Sequence, residues 1–260
     1  MKTPLYIDFL KISLLAQISH KNDLIFEIGI WSLYSFAPFF SLVLLLQRYA
    51  VIGDLTIHEI AVLYGSTICA YDIARMFGRG FDNFFSNVHD GTLDVFYLRP
   101  LPIVYQIFAS EFFLRRLAGV TQGIAILCWG LAKLVLLGPY TILRCCISIV
   151  AAVFLYWAFF VLNASLTLVT SRENRIVGFF FDLTSQMGYY PVERLGKILR
   201  ALLVHIFPIS SCIYFPLRSM LRGEPQMERF AIAILVGLAF FILSLQIFEC
   251  CRSFYTSVNN

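Results

Sequence analysis

Residues 145–171 run without a single charged side chain, and so do residues 28–47. A helix needs about 20 mostly apolar residues to cross the hydrocarbon core of a bilayer. Stretches this long and this apolar restrict the chain to a helical membrane architecture, because only helices and closed barrels satisfy their backbone groups in lipid. Composition agrees: of 260 residues, 59% are hydrophobic and 14% charged, against about 25% charged in soluble domains. The formal net charge of +4 is small and its basic residues are scattered, which argues against a nucleic-acid surface. Seven cysteines sit mostly in apolar runs, with no C-x-x-C and no His at metal-ligand spacing.

Further crossings follow from the same rule. Residues 56–77 form a second span, with Glu59 near its start and Asp72 and Arg75 near its end, spaced to pair at i,i+3. A charge at the bilayer centre costs about 2.5–3.5 kcal/mol on the insertion scale, so these three belong near the interfaces. Residues 117–138 form a third span, from which Lys133 can snorkel outward. The fourth lies within 145–171 and the last covers 229–250. Between them, 176–190 holds Asp182, while 201–217 is uncharged but carries His205, Pro208 and Pro216. Either stretch can supply a fifth span. Ahead of the first, residues 1–23 present a Leu5, Phe9, Ile12 stripe broken by charges, the pattern of a helix lying in the interface.

Charge sets the orientation. With both termini inside and six spans, Lys2, Lys11, Lys21, Arg75, Arg79, Arg99, Arg115, Arg116, Arg172, Arg175 and Arg252 are cytoplasmic, and Arg48, Lys133 and Arg144 are external. Eleven against three is the bias of the positive-inside rule. If 201–217 crosses as a simple span, Arg194, Lys197 and Arg200 join the inside; if 176–190 crosses, 191–222 becomes a broken, re-entrant pair of helices outside.

This topology makes residues 78–116 cytoplasmic. Phe81, Phe84, Phe85 and Val88 recur at i, i+3, i+4 and i+7, with Asp82, Asn83, Ser86, Asn87 and His89 opposite. Gly91 stands where a helix end wants a left-handed residue. A second turn puts Leu93, Phe96 and Tyr97 on one side and Asp94 on the other, and Arg99-Pro100 ends it, since the residue before proline disfavours helix. The pattern predicts an amphipathic helix–turn unit with its apolar face in the headgroups and its polar face toward a soluble partner.

Two motifs in this order, "GTLDVFYLRPLP" at 91–102 and "YYPVERLGKILRALLVHIFPISSCIYFPLRSML" at 189–221, resemble the permease subunits of type-2 ABC exporters, from the branch whose ATPase is encoded separately and which often has two permeases. The resemblance covers nearly the whole chain and implies one all-α permease domain over 1–260. It implies six transmembrane helices, the interfacial helix at 1–23, a coupling element at 78–102 and an outer re-entrant segment at 191–222. Gly91, Leu93, Asp94, Leu98, Arg99 and Pro100 fall on the positions that insert into a cleft of the ATPase. Pro191, Arg200, Pro208 and Pro216 fall in the outer segment, which makes 176–190 the implied fifth span, with Asp182 as the departure from an apolar pattern. The implied setting is the bacterial cytoplasmic (inner) membrane. The implied partners are an ABC ATPase that binds ATP and Mg, a second permease (a copy or a paralogue) and membrane lipid, with no nucleic acid.

The chain lacks the phosphate loop of such an ATPase: Gly196-Lys197 is followed by Ile, and Pro191 stands where the upstream glycine is required. This predicts a transport subunit rather than an enzyme, with no cofactor of its own. An ion-coupled secondary transporter and a membrane-embedded lipid-modifying enzyme are the competing classes. The first requires midplane acids or internal repeats. The second requires acids, His or Arg clustered at one membrane face, for which Asp72, Arg75 and Glu111 are the candidates.

Overall fold

A computed structural model describes residues 15, 17, 19, 21–49, 54–136, 138–170, 172, 175–223 and 226–254. Most of the interfacial helix expected at 1–23 lies outside these residues. Every regular element among the described residues is helical. The long helices are α1 (Lys21–Tyr49), α2 (Ile57–Phe77), α7 (Leu117–Lys133), α8 (Pro139–Thr170) and α12 (Met227–Cys251). Between α2 and α7 come four short ones: α3 (Arg79–Asp82), α4 (Phe84–His89), α5 (Thr92–Tyr97) and α6 (Ile103–Ser110). Between α8 and α12 lie α9 (Arg175–Met187) and a pair, α10 (Lys197–Ile206) and α11 (Ser210–Leu221), bent by 75°.

Helix α2 is the centre of the bundle. Thr56 and Glu59 start it with a reciprocal capping box: the Glu59 carboxylate accepts from the Thr56 amide, and the Thr56 hydroxyl accepts from the Glu59 amide. Its residues from Ile60 to Ala70 are all buried. Helix α7 packs closely along it because both carry glycine at the crossing. A Cβ on Gly65 would meet the Gly123 carbonyl at 2.6 Å, and one on Gly119 would meet the Asp72 carboxylate at 1.9 Å. Gly119 and Gly123 form the small-xxx-small spacing that brings membrane helices together without a hydrophobic driving force. Helix α7 ends at Lys133, earlier than the 117–138 expected from the apolar run.

Helices α8 and α12 cover the other sides. Trp157 donates to the Ala74 carbonyl at 3.2 Å, and Tyr156, Phe159 and Phe160 fill the space against α2, α9 and Phe207 at the break between α10 and α11. Outward faces are the reverse of a soluble protein: Phe26 and Leu33 on α1, Ile142 and Val150 on α8, and Leu235 and Leu243 on α12 are exposed. An exposed apolar surface this continuous belongs in lipid or against another membrane helix. Among the described residues, four helices are long and apolar enough to cross a bilayer: Asn22–Leu44, Ile57–Phe77, Pro139–Thr170 and Met227–Phe254; the bent pair passes the same test when counted as one.

The bundle has two distinct ends. At one, the first turn of α2 lies near Asp54, Arg222 and the start of α12. At the other, the end of α2 meets residues 79–113, and Phe84 packs on Phe248 near the end of α12, 6.1 Å between ring centres. At 1.5 Å per residue, α2 separates these ends by about 30 Å.

Candidate coupling element and the charged belt beneath it

The segment 79–102 is a row of short helices anchored from below. Phe81, Phe84, Leu93 and Phe96 are buried, as are Ile103 and Ile107 of α6. The expected apolar stripe is present in part, interrupted at Asn83, and its destination differs from the expectation. It does not face headgroups: Phe81 packs edge-on to Phe108 of α6 and Phe84 on α12. Periodicity identifies the face to be covered, not what covers it.

Between α4 and α5, Gly91 adopts φ 71°, ψ 6°, the left-handed conformation expected from the sequence. The turn after α5 is held by Gln106, whose side-chain amide donates to the carbonyls of Phe96 and Leu101, each at 2.9 Å. Arg252, just past α12, lies 5.1 Å from the Tyr97 ring and ties the chain's last described turn to this segment. What remains at the surface is specific. Leu98 is 85% exposed, Val95 and Pro100 are exposed, and Asp94 and Arg99 are half-buried. The Arg99 guanidinium lies 5.9 Å from the Phe96 ring. Leu98 is thus an exposed apolar side chain on a turn held from below by Leu93, Phe96 and Gln106.

Beneath this element lies a belt of four arginines, each paired with an acid from elsewhere in the fold. Arg116 bonds Asp72 at 2.9 Å with both side chains 3% exposed, and its guanidinium stacks 3.9 Å from the Trp31 ring. Arg75 reaches Asp182 of α9 at 3.2 Å, and Tyr71 donates to the same oxygen at 3.0 Å. Arg79 pairs with Glu111 at 3.3 Å, where the Asn83 amide also bonds. Arg115 pairs with Glu27 at 2.9 Å. Phe113 is clasped between the Arg79 and Arg115 guanidiniums, at 4.1 and 3.9 Å.

These pairings correct the local expectation that Asp72 and Arg75 pair with each other along one helix. The helix-to-helix approach at Gly119 brings Arg116 to Asp72, and α9 brings Asp182 to Arg75. Asp182 is thereby accounted for as a ligand of the belt. Asp72, Arg75 and Glu111, the sequence's candidates for a cluster at one membrane face, all join the belt, but their partners Arg116, Asp182 and Arg79 were not legible. The G-V-T-Q-G spacing at 119–123 was the signal that α7 would lie tightly on another helix.

The outer segment has its own network. Tyr214 donates to Glu193 at 2.6 Å, and the same carboxylate pairs with Arg218. Burial alone would raise the Glu193 pKa. The Tyr214 hydrogen bond and the Arg218 charge outweigh it and hold the carboxyl below its ordinary range. Pro208 stands at the break between α10 and α11, Pro191 precedes the turn Val192–Arg194, Pro216 sits early in the final α-helical part of α11, and Arg200 is exposed. Among the described residues, no group of three or more His, Cys, Asp or Glu side chains could hold a metal ion.

A bundle of helices with this much exposed apolar surface defines a multi-pass membrane protein. The family model for ABC-2 family transporter proteins matches residues 32–259. The chain belongs to that family, and it is a membrane-embedded permease of an ABC transporter, which implies an ABC ATPase as its partner. No curated protein and no solved structure matches the chain.

Proposed function

We propose that the chain is the pathway-forming subunit of an ATP-driven exporter in the bacterial cytoplasmic membrane, working as a dimer with itself or a paralogue. A separate ATPase, which binds ATP and Mg, docks on residues 78–102. The observation that carries this reading is the exposed Leu98 at the tip of a turn anchored by the buried Leu93 and Phe96, with Val95 also exposed beside it. In this reading Gly91 sets the angle between the two short helices and Leu98 enters a cleft on the ATPase. Asp94 and Arg99 make charged contacts around it, and Pro100 stops the helix. ATP binding and hydrolysis push on this turn. The push passes through Phe84 to α12 and through Glu111 and Arg79 to the belt, biasing an inward–outward equilibrium.

The proposed topology has six crossings with both termini cytoplasmic, α9 and the residues after it forming the fifth. Two contacts support this over a simple crossing by 201–217. Asp182 sits with Arg75 at the docking end of α2, while Glu193 reaches Arg218 and through it Asp54 at the opposite end. A straight span between Glu193 and Arg218 would put the two about 30 Å apart. Their ion pair fits a re-entrant α10–α11 hairpin, with Pro191 and Pro208 at its turns and Arg200 and Pro216 within it.

The test is complex assembly. Gly91→Val, Leu98→Glu and Arg99→Glu leave every proposed span intact and should insert normally. Gly91→Val and Leu98→Glu should lose the copurifying ATPase; Arg99→Glu should lose it or lose transport-linked ATP turnover. Normal assembly and transport by all three variants would refute the docking role. A single cysteine at 195 that reacts with an impermeant reagent only from the cytoplasm would refute the re-entrant topology.

A further inference from the structure

We propose that the end of the bundle opposite the docking element carries a binding site for a phosphate-type anion borne on an apolar tail, built from Arg218, Arg222 and Arg229. Two adjoining cavities share Phe215, Arg218 and Arg229 as walls. The first, about 360 Å³, is otherwise lined by Asp54, Ser219 and Arg222. The second, about 430 Å³, is otherwise lined by Ser211 and Ile232. Each falls in the size range of small-molecule sites.

The donors in the polar cavity are not equivalent. Arg218 is held by Glu193 and by Asp54 at 3.7 Å, so it is a fixed wall. Arg222 donates one nitrogen to the Asp54 carbonyl at 2.8 Å, and Arg229 gives its Nε to the Gln226 side chain at 2.9 Å. Among the described residues neither makes an ion pair. A guanidinium has five N–H donors, so each keeps a two-pronged face after these bonds, and both line the same chamber. Paired guanidinium forks match the tetrahedral oxygens of phosphate, and such charge-assisted bonds are the strong kind. Set against Glu193 and Asp54, both of which hold Arg218, the three cations still leave a surplus of one positive charge among the described residues, for which an anion is the complement.

The second cavity adds the apolar half. Ile232 lies three residues beyond Arg229 on α12, so it continues the same helix face one turn further from the end of the bundle. Head chamber and apolar chamber therefore follow one another along the helix, the order of an anionic lipid lying beside it. The site needs no ATPase and stands independently of the docking reading.

The experiment uses the full chain purified in neutral detergent, with unfolding temperature followed during titration. The probes are dioctanoylphosphatidylglycerol, dioctanoylphosphatidylcholine and inorganic phosphate. The anionic lipid should raise the Tm saturably and the zwitterionic lipid should not. The double variant Arg222→Gln, Arg229→Gln should keep the ligand-free Tm and bind the anionic lipid at least about tenfold more weakly. Lys197→Gln, which removes an exposed charge from the same segment, should bind as the native chain does. Arginine-dependent binding of inorganic phosphate as tight as that of the lipid would overturn the apolar half of the proposal and identify a soluble anion as the ligand; much weaker phosphate binding identifies the lipid. Equal responses to the two lipids, or undiminished binding by the double variant, would overturn the proposal.

Discussion

At the docking end, Arg75, Arg79, Arg115 and Arg116 each meet a carboxylate carried by another element; at the opposite end, Arg222 and Arg229 face a cavity. The same side chain serves as mortar in one place and as an open surface in the other. The difference lies in burial and in what the backbone brings close. At the docking end, small residues let α2 and α7 approach until Asp72 and Arg116 are sealed together. At the far end, α11, Asp54 and the first turns of α12 leave open clefts between them. Ion pairs sealed from water are severe to break, whereas exposed ones contribute about 0–1 kcal/mol.

The largest expected effect breaks the sealed pair. Asp72→Ala strands a buried guanidinium and should destabilise the protein by about 3–5 kcal/mol, read as a lower Tm and reduced yield of folded protein. Asp72→Ala with an unchanged Tm would erase the distinction between the two ends. Next comes the hinge above the belt. Gly91→Val forces a β-branched residue into a left-handed backbone and should cost about 1–3 kcal/mol, measured by the same unfolding assay.

A smaller effect separates the ends by pH. The Glu193 carboxyl titrates below its ordinary range, so its contribution is present above the unfolded pKa of about 4.3 and is lost as pH falls through the folded value. Glu193→Gln should therefore lower the Tm by a constant amount above about pH 5 and by progressively less in stronger acid. A difference that persists unchanged at the lowest pH would mean that packing, not charge, holds the clasp. The smallest effect is Arg229→Gln. It lies on the surface and should change stability by no more than about 0.5 kcal/mol, even though it weakens anion binding.

Much of the fold was readable because hydropathy and punctuation act locally. The charge-free run at 28–47 and the described part of the second, 145–170, lie in long helices, Gly91 takes the left-handed turn, and helix ends before Arg99-Pro100. What escaped is pairing across distance. The i,i+3 spacing of Asp72 and Arg75 allows a contact, but Arg116 and Asp182 lie closer once α7 and α9 have packed. Likewise the stripe through Phe81 and Phe84 announced a covered face, and its cover came from α6 and α12, distant in sequence. The apolar run into residue 138 overran α7, because hydropathy marks what lipid tolerates and not where the backbone turns.

The Asp72–Arg116 pair also bears on how the chain is made. The two residues are 44 positions apart. At synthesis rates of about 5–20 residues per second, Asp72 leaves the ribosome several seconds before its partner exists. During that interval Asp72 has only Arg75, one turn along the same helix, to meet it, and α2 carries two charged groups that resist release into lipid. The second helix must therefore wait at the insertion machinery until the third emerges, and the two should enter the membrane together, as a hairpin zipped along its glycine seam. Truncated nascent chains ending before and after Arg116 would reveal this as a delay in the lateral exit of the second helix that ends when the arginine arrives.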